Sequence, residues 1–254
     1  MHTVAARLLS ALFGLALLLS PVASARAAPA CPSTPAAAAM ALPHLLGAMR
    51  HGIEGVIVAL GSSSTQGAMA SDLAHTYPAV LQQVLSNELP DAHVAVINRG
   101  IGGQDAAEEL ARLDADVLAV RPQLVIWQVG ANGALRNADP AVFRAMVTTG
   151  VRRMQAAGAD VILMDNQQSP ALLAKAGEPV FDQELAQVAK ETGAALFSRR
   201  ALMLGWHHDG APLAEFIAVD GLHHNDRGYL CVAQSLAHAI LGGLAPGHAV
   251  TASR

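Results

Sequence analysis

Five short apolar runs alternate along this chain with segments of helical spacing, and no other sequence feature restricts the possible folds as strongly. The apolar runs lie at residues 56–60, 94–97, 124–129, 161–164 and 194–197, and the first of them is rich in β-branched residues. The segments predicted to be helical lie at residues 73–89, 105–120, 140–157, 181–192 and 225–241. Repeated βα units favour a parallel sheet with helices on both faces. We therefore predict one α/β domain without internal repeats.

The first 30 residues have the pattern of a secretory signal peptide. Arg7 precedes an apolar run at residues 8–19 that is too short to span a bilayer, and Ala-Ser-Ala follows at residues 23–25. The predicted boundaries are a signal peptide at 1–30, an N-terminal tail at 31–52, a folded domain at 53–245 and a C-terminal tail at 246–254. We expect an exported protein, periplasmic or secreted, without a stable membrane anchor.

Charge and cysteine content exclude several classes of partner. The 254 residues carry a formal net charge of −4, and removing residues 1–30 takes away two arginines and no acid, which gives −4 − 2 = −6. A mildly acidic protein without a basic run is a poor nucleic-acid binder. Export permits a disulfide between the two cysteines, Cys31 and Cys231, but a free buried Cys231 is equally compatible with the sequence. The spacing excludes a CxxC zinc site, and the sequence does not indicate an oligomeric state.

The first apolar run ends at Gly61 and is followed by Ser62, Ser63, Ser64 and Thr65. On its own this stretch predicts a strand, a tight turn and a serine that caps the next helix. It is also compatible with a nucleophilic serine at the carboxyl end of a central strand, where open α/β sheets bind ligands. The other loops on the same edge decide between these two interpretations.

Three further loops at this edge carry the remaining groups that acyl transfer to a serine requires. His223 is a candidate base, and Asp220 lies three residues before it, so that its carboxylate can orient the imidazole. Gly103 permits close approach of a backbone N–H to a substrate, and the Asn132 side chain can donate a hydrogen bond to an oxyanion. The four loops together predict a serine hydrolase.

Four sequence blocks carry a resemblance to the SGNH hydrolases, also called the GDSL esterase/lipase family. In chain order they are residues 61–63 (Gly-Ser-Ser), 98–103 (Asn-Arg-Gly-Ile-Gly-Gly), 130–132 (Gly-Ala-Asn) and 220–223 (Asp-Gly-Leu-His). The resemblance extends over about residues 56–241. It implies a three-layer α/β/α sandwich around a five-stranded parallel sheet, a flavodoxin-like arrangement, and it implies no metal or organic cofactor.

The same resemblance assigns roles to individual residues. It makes Ser63 the nucleophile, His223 the base and Asp220 the carboxylate that orients it. The oxyanion hole is then formed by the N–H groups of Ser63 and Gly103 and by the side chain of Asn132. Two positions depart from the family pattern, since Ser62 replaces an aspartate and Gly133 replaces another. Neither of these aspartates has a chemical role in the triad.

Other interpretations of the motifs fit less well. The glycines at residues 100–103 lack the third glycine of a dinucleotide site, and the first loop lacks the last glycine of a G-x-S-x-G elbow. The pairs at residues 207–208 and 223–224 suggest a metal site, but adjacent histidines rarely face one ion. Trp127 is expected in the core, and Arg199 with Arg200 at a solvated helix start.

We therefore expect an esterase that removes short acyl groups, acetyl above all, from a small-molecule or carbohydrate ester. This preference depends on the polar residues Gln104, Gln167, Gln168 and Ser169 in the loops after the strands, and on the absence of a long apolar insertion. The alternatives are a thioesterase or lysophospholipase, a glycan O-acyltransferase of the same fold, and a catalytically silent glycan-binding module.

Overall fold

The structure, a computed structural model, describes residues 30–33 and 40–244. The predicted signal peptide and the C-terminal tail lie outside the described residues, apart from Ala30. Those boundaries remain predictions.

Each apolar run forms a strand, and all five strands are parallel. The strands are β1 (Gly55–Gly61), β2 (Val94–Gly100), β3 (Leu124–Gln128), β4 (Asp160–Met164) and β5 (Ala195–Phe197). They pair in the order β2-β1-β3-β4-β5. The chain thus builds outward from β1 to β2 and then returns to place β3 on the other side of β1. The predicted five-stranded parallel sheet is confirmed, and the switch point lies between β1 and β3.

Helices cover both faces of the sheet. They are α1 (Pro43–Arg50), α2 (Ser63–Gln66), α3 (Tyr77–Glu88), α4 (Ala106–Ala111), α5 (Leu113–Asp116), α6 (Ala131–Leu135), α7 (Pro140–Ala156), α8 (Pro170–Leu173), α9 (Glu178–Thr192), α10 (Arg199–His208) and α11 (Asp226–Leu244). Short 3-10 turns lie at Leu73–His75, Leu118–Val120 and Leu213–Glu215.

Successive residues of a central strand enter two different hydrophobic cores. Ile57 and Ala59 of β1 pack in the core that contains residues of α3 and α11, whereas Val58 and Leu60 pack in the core with residues of α7 and α9. Because neighbouring side chains of a strand point to opposite faces, this division explains why the run is apolar throughout instead of alternating. Trp127 of β3 is fully buried in the second core, as expected.

Two predicted helices are interrupted in the structure. Residues 73–89 divide into a 3-10 turn and α3, and residues 105–120 divide at Arg112, whose φ of −101° and ψ of 5° leave the helical region. The start of the second segment is well specified, because the Asp105 side chain accepts hydrogen bonds from the N–H groups of Ala107 and Glu108. At this interruption the Arg112 side chain turns back toward the sheet edge, where Nη2 donates to the carbonyl of Gly61.

The interpretation of Arg199 as a solvated residue is wrong. Its side chain is buried, and Nε donates a 2.7 Å hydrogen bond to the backbone carbonyl of Asp165. The helix that it begins, α10, is capped by Ser198 Oγ, which accepts from the N–H of Ala201. The charge is buried here because Nε meets the carbonyl of Asp165, the residue after β4, and the carboxylates of Asp165 and Asp182 lie nearby.

Three acidic side chains cluster beside Arg200, which is partly exposed. Arg200 Nη1 lies 3.0 Å from Glu178 Oε2 and 3.5 Å from Asp182 Oδ2. Burial, with the nearby carboxylates of Asp165 and Glu178, raises the pKa of Asp182 to about 8. The cluster therefore holds a proton at neutral pH.

A disulfide joins Cys31 to Cys231 of α11, across a sequence separation of 200 residues. The sequence left the state of these cysteines open, and the structure pairs them. In the N-terminal part of the chain, Leu45 of α1 is buried and its N–H donates to Asp160 Oδ2. Of the helices within residues 40–244, none is long and apolar enough to cross a membrane.

Candidate active site

The turn after β1 exposes one serine of three. Ser62 and Ser64 are buried, whereas Ser63, the first residue of α2, is partly exposed. Ser63 Oγ lies 2.7 Å from His223 Nε2, although the two residues are 160 positions apart. Among the consecutive serines, Ser63 is therefore the one that the fold places against a histidine.

A glutamine that the sequence analysis missed fixes this turn. Gln128, the last residue of β3, accepts hydrogen bonds at Oε1 from the N–H and Oγ of Ser62, both at 3.3 Å, and from Thr65 Oγ1 at 3.2 Å. Ser62 thus occupies the position of the family aspartate with its hydroxyl bonded inside the protein. A polar residue that ends an otherwise apolar buried strand was the available signal for Gln128.

His223 and Asp220 lie on the loop before α11. Asp220 Oδ2 lies 2.5 Å from His223 Nδ1, and Oδ1 accepts from the backbone N–H groups of Leu222 and His223 at 3.0 Å each. Because the carboxylate accepts, Nδ1 carries the ring hydrogen, and the lone pair of Nε2 is directed at Ser63 Oγ. This tautomer is the one that a serine nucleophile needs from its base.

The electrostatics of Asp220 favour its ionised form. Partial burial raises the pKa of this carboxyl, but the hydrogen bonds from the His223 ring and from the N–H groups of Leu222 and His223 outweigh that effect. The pKa of Asp220 consequently lies below its ordinary value. An ionised Asp220 stabilises an imidazolium at His223 when the ring accepts a proton.

Contacts from the segment after β4 hold the loop of Asp220 and His223 in place. Gln167 Nε2 donates to the carbonyl of Leu222 at 2.9 Å, and the N–H of Ala171 donates to the carbonyl of Gly221 at 3.0 Å. Both contacts fix backbone positions between Asp220 and His223. Gln167 therefore fixes the backbone next to His223.

The three expected oxyanion donors follow three neighbouring strands: Ser63 begins α2 after β1, Gly103 lies in the loop after β2, and Asn132 lies in α6 after β3. Gly103 has a φ of +79°, which favours glycine, and a β-carbon added to the adjacent Gly102 would lie only 4.0 Å from Ser63 Cβ. Asn132 Nδ2 donates one hydrogen bond to the carbonyl of Gln104 at 2.8 Å, which leaves its second hydrogen available. Within residues 40–244, the N–H groups of Ser63 and Gly103 donate to no other residue. Each of the three groups therefore has a hydrogen that it can still donate.

Packing accounts for the second departure from the family pattern. A β-carbon at Gly133 would lie 2.8 Å from Cε1 of Phe181, a buried residue of α9. Any larger side chain at this position would displace that ring. The glycine therefore lets α6, which carries Asn132, pack closely on α9.

The histidine pairs do not form a joint site. His224 is fully buried, and burial lowers its pKa to about 3, so that the ring is neutral and Nδ1 donates to the carbonyl of Phe216 at 3.1 Å. His207 and His208 end α10, and the side chain of His208 is 89% exposed. In the described part of the chain, no three His, Cys, Asp or Glu side chains are grouped as metal ligands.

The expectation of an open polar edge after β4 is wrong. Gln167, Gln168 and Ser169 are all buried, because their segment packs under the Asp220 loop. Beside that loop lies a cleft of about 390 Å³, lined by Gln168, Pro170, Leu173, Leu213, Ala214, Ile217, Ala218, Val219 and Gly221. Its walls are mostly aliphatic, and Leu173 and Val219 are exposed at its surface.

Comparison with known proteins adds a family and a fold. The model of the non-GDSL lipase-like family matches residues 28–246. The chain is 33% identical to the esterase TesA of Pseudomonas aeruginosa over 107 residues, which are 42% of this chain and 52% of that protein. It is 29% identical to an arylesterase of Vibrio mimicus over 114 residues, which are 45% of this chain and 56% of that protein. The chain thus spans about half the length of the curated relatives it matches.

A solved structure shows how far the likeness of fold extends. The acetylxylan esterase Axe2 from Geobacillus stearothermophilus superposes with a TM-score of 0.63 at 20% identity, over 73% of this chain and 94% of that chain. At this identity the likeness concerns the fold alone.

Proposed function

This chain belongs to the non-GDSL lipase-like family, which confirms the resemblance to SGNH hydrolases, and we propose that it hydrolyses carboxylic esters through a serine acyl-enzyme. The observation that carries the proposal is the chain of contacts from Ser63 Oγ to His223 Nε2 and from His223 Nδ1 to Asp220, at 2.7 and 2.5 Å. The esterase names of the relatives agree with this reaction class.

The proposed reaction has two halves. Ser63 Oγ attacks the ester carbonyl while His223 Nε2 accepts the hydroxyl proton, and the carbonyl oxygen becomes an oxyanion held by donors from Ser63, Gly103 and Asn132. The carbon–oxygen bond to the alcohol then breaks, and the imidazolium of His223 returns its proton to the departing alcohol. A water molecule repeats the sequence on the acyl-enzyme, which releases the acid and regenerates Ser63.

Hydrolysis of p-nitrophenyl acetate by purified protein tests the proposal. We expect Ser63→Ala to lower kcat/KM by about 10⁴-fold or more, as when a triad serine is removed. Ser64→Ala is the matched control, because Ser64 is the next residue but is buried. If Ser63→Ala stays active and Ser64→Ala is inactive, the nucleophile is Ser64 and the assignment to Ser63 is wrong.

For the acyl group we propose a short chain, acetyl above all, carried by a carbohydrate. The acetylxylan esterase that shares this fold supplies the substrate for the test, an acetylated xylan. Release of acetate from acetylated xylan, compared with release from p-nitrophenyl acetate, measures whether a carbohydrate carrier raises kcat/KM. A polysaccharide that is not deacetylated would contradict the carbohydrate part of the proposal and leave the reaction class intact.

One observation favours a second candidate, an enzyme for longer acyl chains such as a lysophospholipase or thioesterase. The aliphatic cleft begins at Gly221, between Asp220 and His223, and has room for several methylene groups. If the cleft receives the chain, each buried methylene contributes about 0.8 kcal/mol, or about fourfold in kcat/KM. A p-nitrophenyl ester series from acetate to decanoate separates the two candidates, since kcat/KM falls with length in the first and rises in the second.

A cleft-filling variant makes that series sharper. Ala214 lines the cleft and is exposed. Ala214→Trp should leave acetate hydrolysis unchanged, whether the enzyme prefers short or long acyl chains. If longer chains use the cleft, the same variant should remove the rise of kcat/KM with chain length.

We also propose that the protein is exported. The disulfide between Cys31 and Cys231 supports this proposal, because such bonds persist in oxidising compartments. N-terminal sequencing of the protein from the periplasm or medium of an expressing bacterium is the test. A chain that keeps Met1 and remains in the cytoplasm would contradict export.

A further inference from the structure

Arg112 connects loops that the proposed reaction uses, although it lies at the break between α4 and α5. Its side chain is 12% exposed, and each of its three nitrogens donates one hydrogen bond. Nη2 donates to the carbonyl of Gly61 at 3.0 Å, Nε to Gln104 Oε1 at 2.6 Å and Nη1 to Asp116 Oδ2 at 2.8 Å. One guanidinium thus links the end of β1 to the loop after β2.

Two of these three partners, Gly61 and Gln104, lie close in the sequence to proposed oxyanion donors. Gly61 is two residues before Ser63, and its carbonyl also accepts from the N–H of Ile101, two residues before Gly103. Gln104 is the residue after Gly103, and its carbonyl accepts from Asn132 Nδ2 at 2.8 Å. Arg112 therefore contacts the two loops of Ser63 and Gly103 directly and reaches Asn132 through Gln104.

The bond from Asn132 to Gln104 has a chemical consequence. An asparagine amide can present either its oxygen or its nitrogen to a ligand, and these have opposite hydrogen-bonding character. Because the Gln104 carbonyl accepts one Nδ2 hydrogen, the nitrogen end is fixed on that side and the second hydrogen stays available for the oxyanion. The position of Gln104 therefore determines the orientation of Asn132.

A guanidinium suits this arrangement better than other cations. It is planar, remains charged, and donates in several fixed directions, whereas an ammonium group acts as a compact point charge on a flexible stem. Three bonds that diverge toward Gly61, Gln104 and Asp116 use this geometry. A lysine at this position would reach at most part of the set.

We propose that Arg112 is a positioning residue for the oxyanion hole, which acts through Gln104 on the Asn132 amide, while its bond to the Gly61 carbonyl anchors the guanidinium at the end of β1. This inference rests on the proposed function. Arg112 does not contact the substrate, and the donors that it positions act on charge that develops in the transition state. Its removal should therefore lower kcat with little effect on KM. A misplacement of about 1 Å in such a site can cost on the order of 10²-fold in rate.

The test combines kinetics of p-nitrophenyl acetate hydrolysis with a readout that does not require activity. We expect Arg112→Met to lower kcat about 10- to 100-fold, with KM changed less than about threefold. Arg112→Lys should lie between the variant and the wild type. In an Asn132→Ala background, Arg112→Met should lower kcat by less than about threefold, because the amide that it orients is already absent.

The second readout is the order of the Asn132 side-chain amide, measured by its ¹H–¹⁵N heteronuclear NOE. This NOE should fall in Arg112→Met and stay unchanged in the control Arg153→Met, which removes another arginine bonded to the α5 segment, at Asp114. The NOE still decides the inference if the wild type lacks esterase activity, a result that would refute the proposed function alone.

Two results would overturn the positioning role. One is an unchanged Asn132 NOE in Arg112→Met, and the other is the same loss of kcat with and without Asn132. If Arg112→Met does not fold, Gln104→Met replaces it, because it removes the side-chain acceptor and keeps the carbonyl that Asn132 contacts. That variant should show the same pattern with a kcat loss of about 3- to 10-fold.

Discussion

Replacing Asp220 by asparagine should harm the enzyme more than deleting its side chain. The reason lies in the two backbone N–H groups of Leu222 and His223, which both donate to Asp220 Oδ1. In Asp220→Asn the amide oxygen must accept those two bonds, so its NH₂ group is turned toward His223 Nδ1. The ring hydrogen then moves to Nε2, and the nitrogen that faces Ser63 can no longer accept a proton.

The size of the effect follows from this change of tautomer. A triad with the wrong tautomer loses about 10⁴-fold in kcat, which corresponds to about 5.5 kcal/mol of transition-state stabilisation. In Asp220→Ala no amide donates to the ring. The Asp220 side chain is 31% exposed, so that water can replace it and accept from Nδ1. We expect Asp220→Ala to lose about 10³-fold, roughly a tenth of the loss in the asparagine variant.

The assay is kcat for p-nitrophenyl acetate, with circular dichroism to show that both variants are folded. Asp220→Asn should be about tenfold slower than Asp220→Ala. If the asparagine variant is faster than the alanine variant, or lies within tenfold of the wild type, the tautomer argument is refuted.

Three further predictions concern other parts of the molecule. Asn132→Ala should lower kcat roughly 10²-fold with KM nearly unchanged, because its amide acts on charge that develops in the transition state; a change confined to KM would contradict this. Cys31→Ala should lower the free energy of unfolding in urea by about 2–5 kcal/mol, since the 200-residue loop is no longer closed, and an unchanged unfolding midpoint would argue against the disulfide. The pKa of Asp182 is raised to about 8, so between about pH 4 and pH 8 the native state keeps a proton that the unfolded state has already released. The stabilisation from this group is therefore complete below about pH 4 and is lost as the pH rises to about 8. Asp182→Asn should therefore gain stability relative to the wild type over that range, by an amount on the order of a few kcal/mol at pH 8, and a constant difference would refute the raised pKa.

Much of the fold could be predicted because local patterns specify it. The apolar runs that become β1 and β3 are buried on both faces, so that their composition marks them as central strands whatever their neighbours are. The helix start at Arg199 and Arg200 was predicted, and α10 begins there, but Arg199 is buried against the carbonyl of Asp165 instead of being solvated. The available signal for burial was the apolar set Leu202, Met203 and Trp206 after the capping Ser198.

In the candidate site, too, local patterns identify some residues and leave others undetected. Ser63, Gly103, Asn132, Asp220 and His223 follow from sequence blocks, and the fold brings their loops together. The residues that orient them, such as Arg112, Gln128 and Gln167, depend on contacts between positions 51 to 66 apart, which no local pattern specifies. The same limit explains the error at Gln168, since a glutamine in a loop can be buried only when a distant segment covers it.

Covalent labelling tests directly whether Ser63 is the nucleophile. The native protein is treated with a fluorophosphonate, digested, and its peptides are analysed by mass spectrometry. We predict one adduct, on Ser63, which is absent from Ser63→Ala and weakened in the Asp220 variants. An adduct on Ser62 or Ser64, or a folded wild type that is not labelled at all, would contradict it.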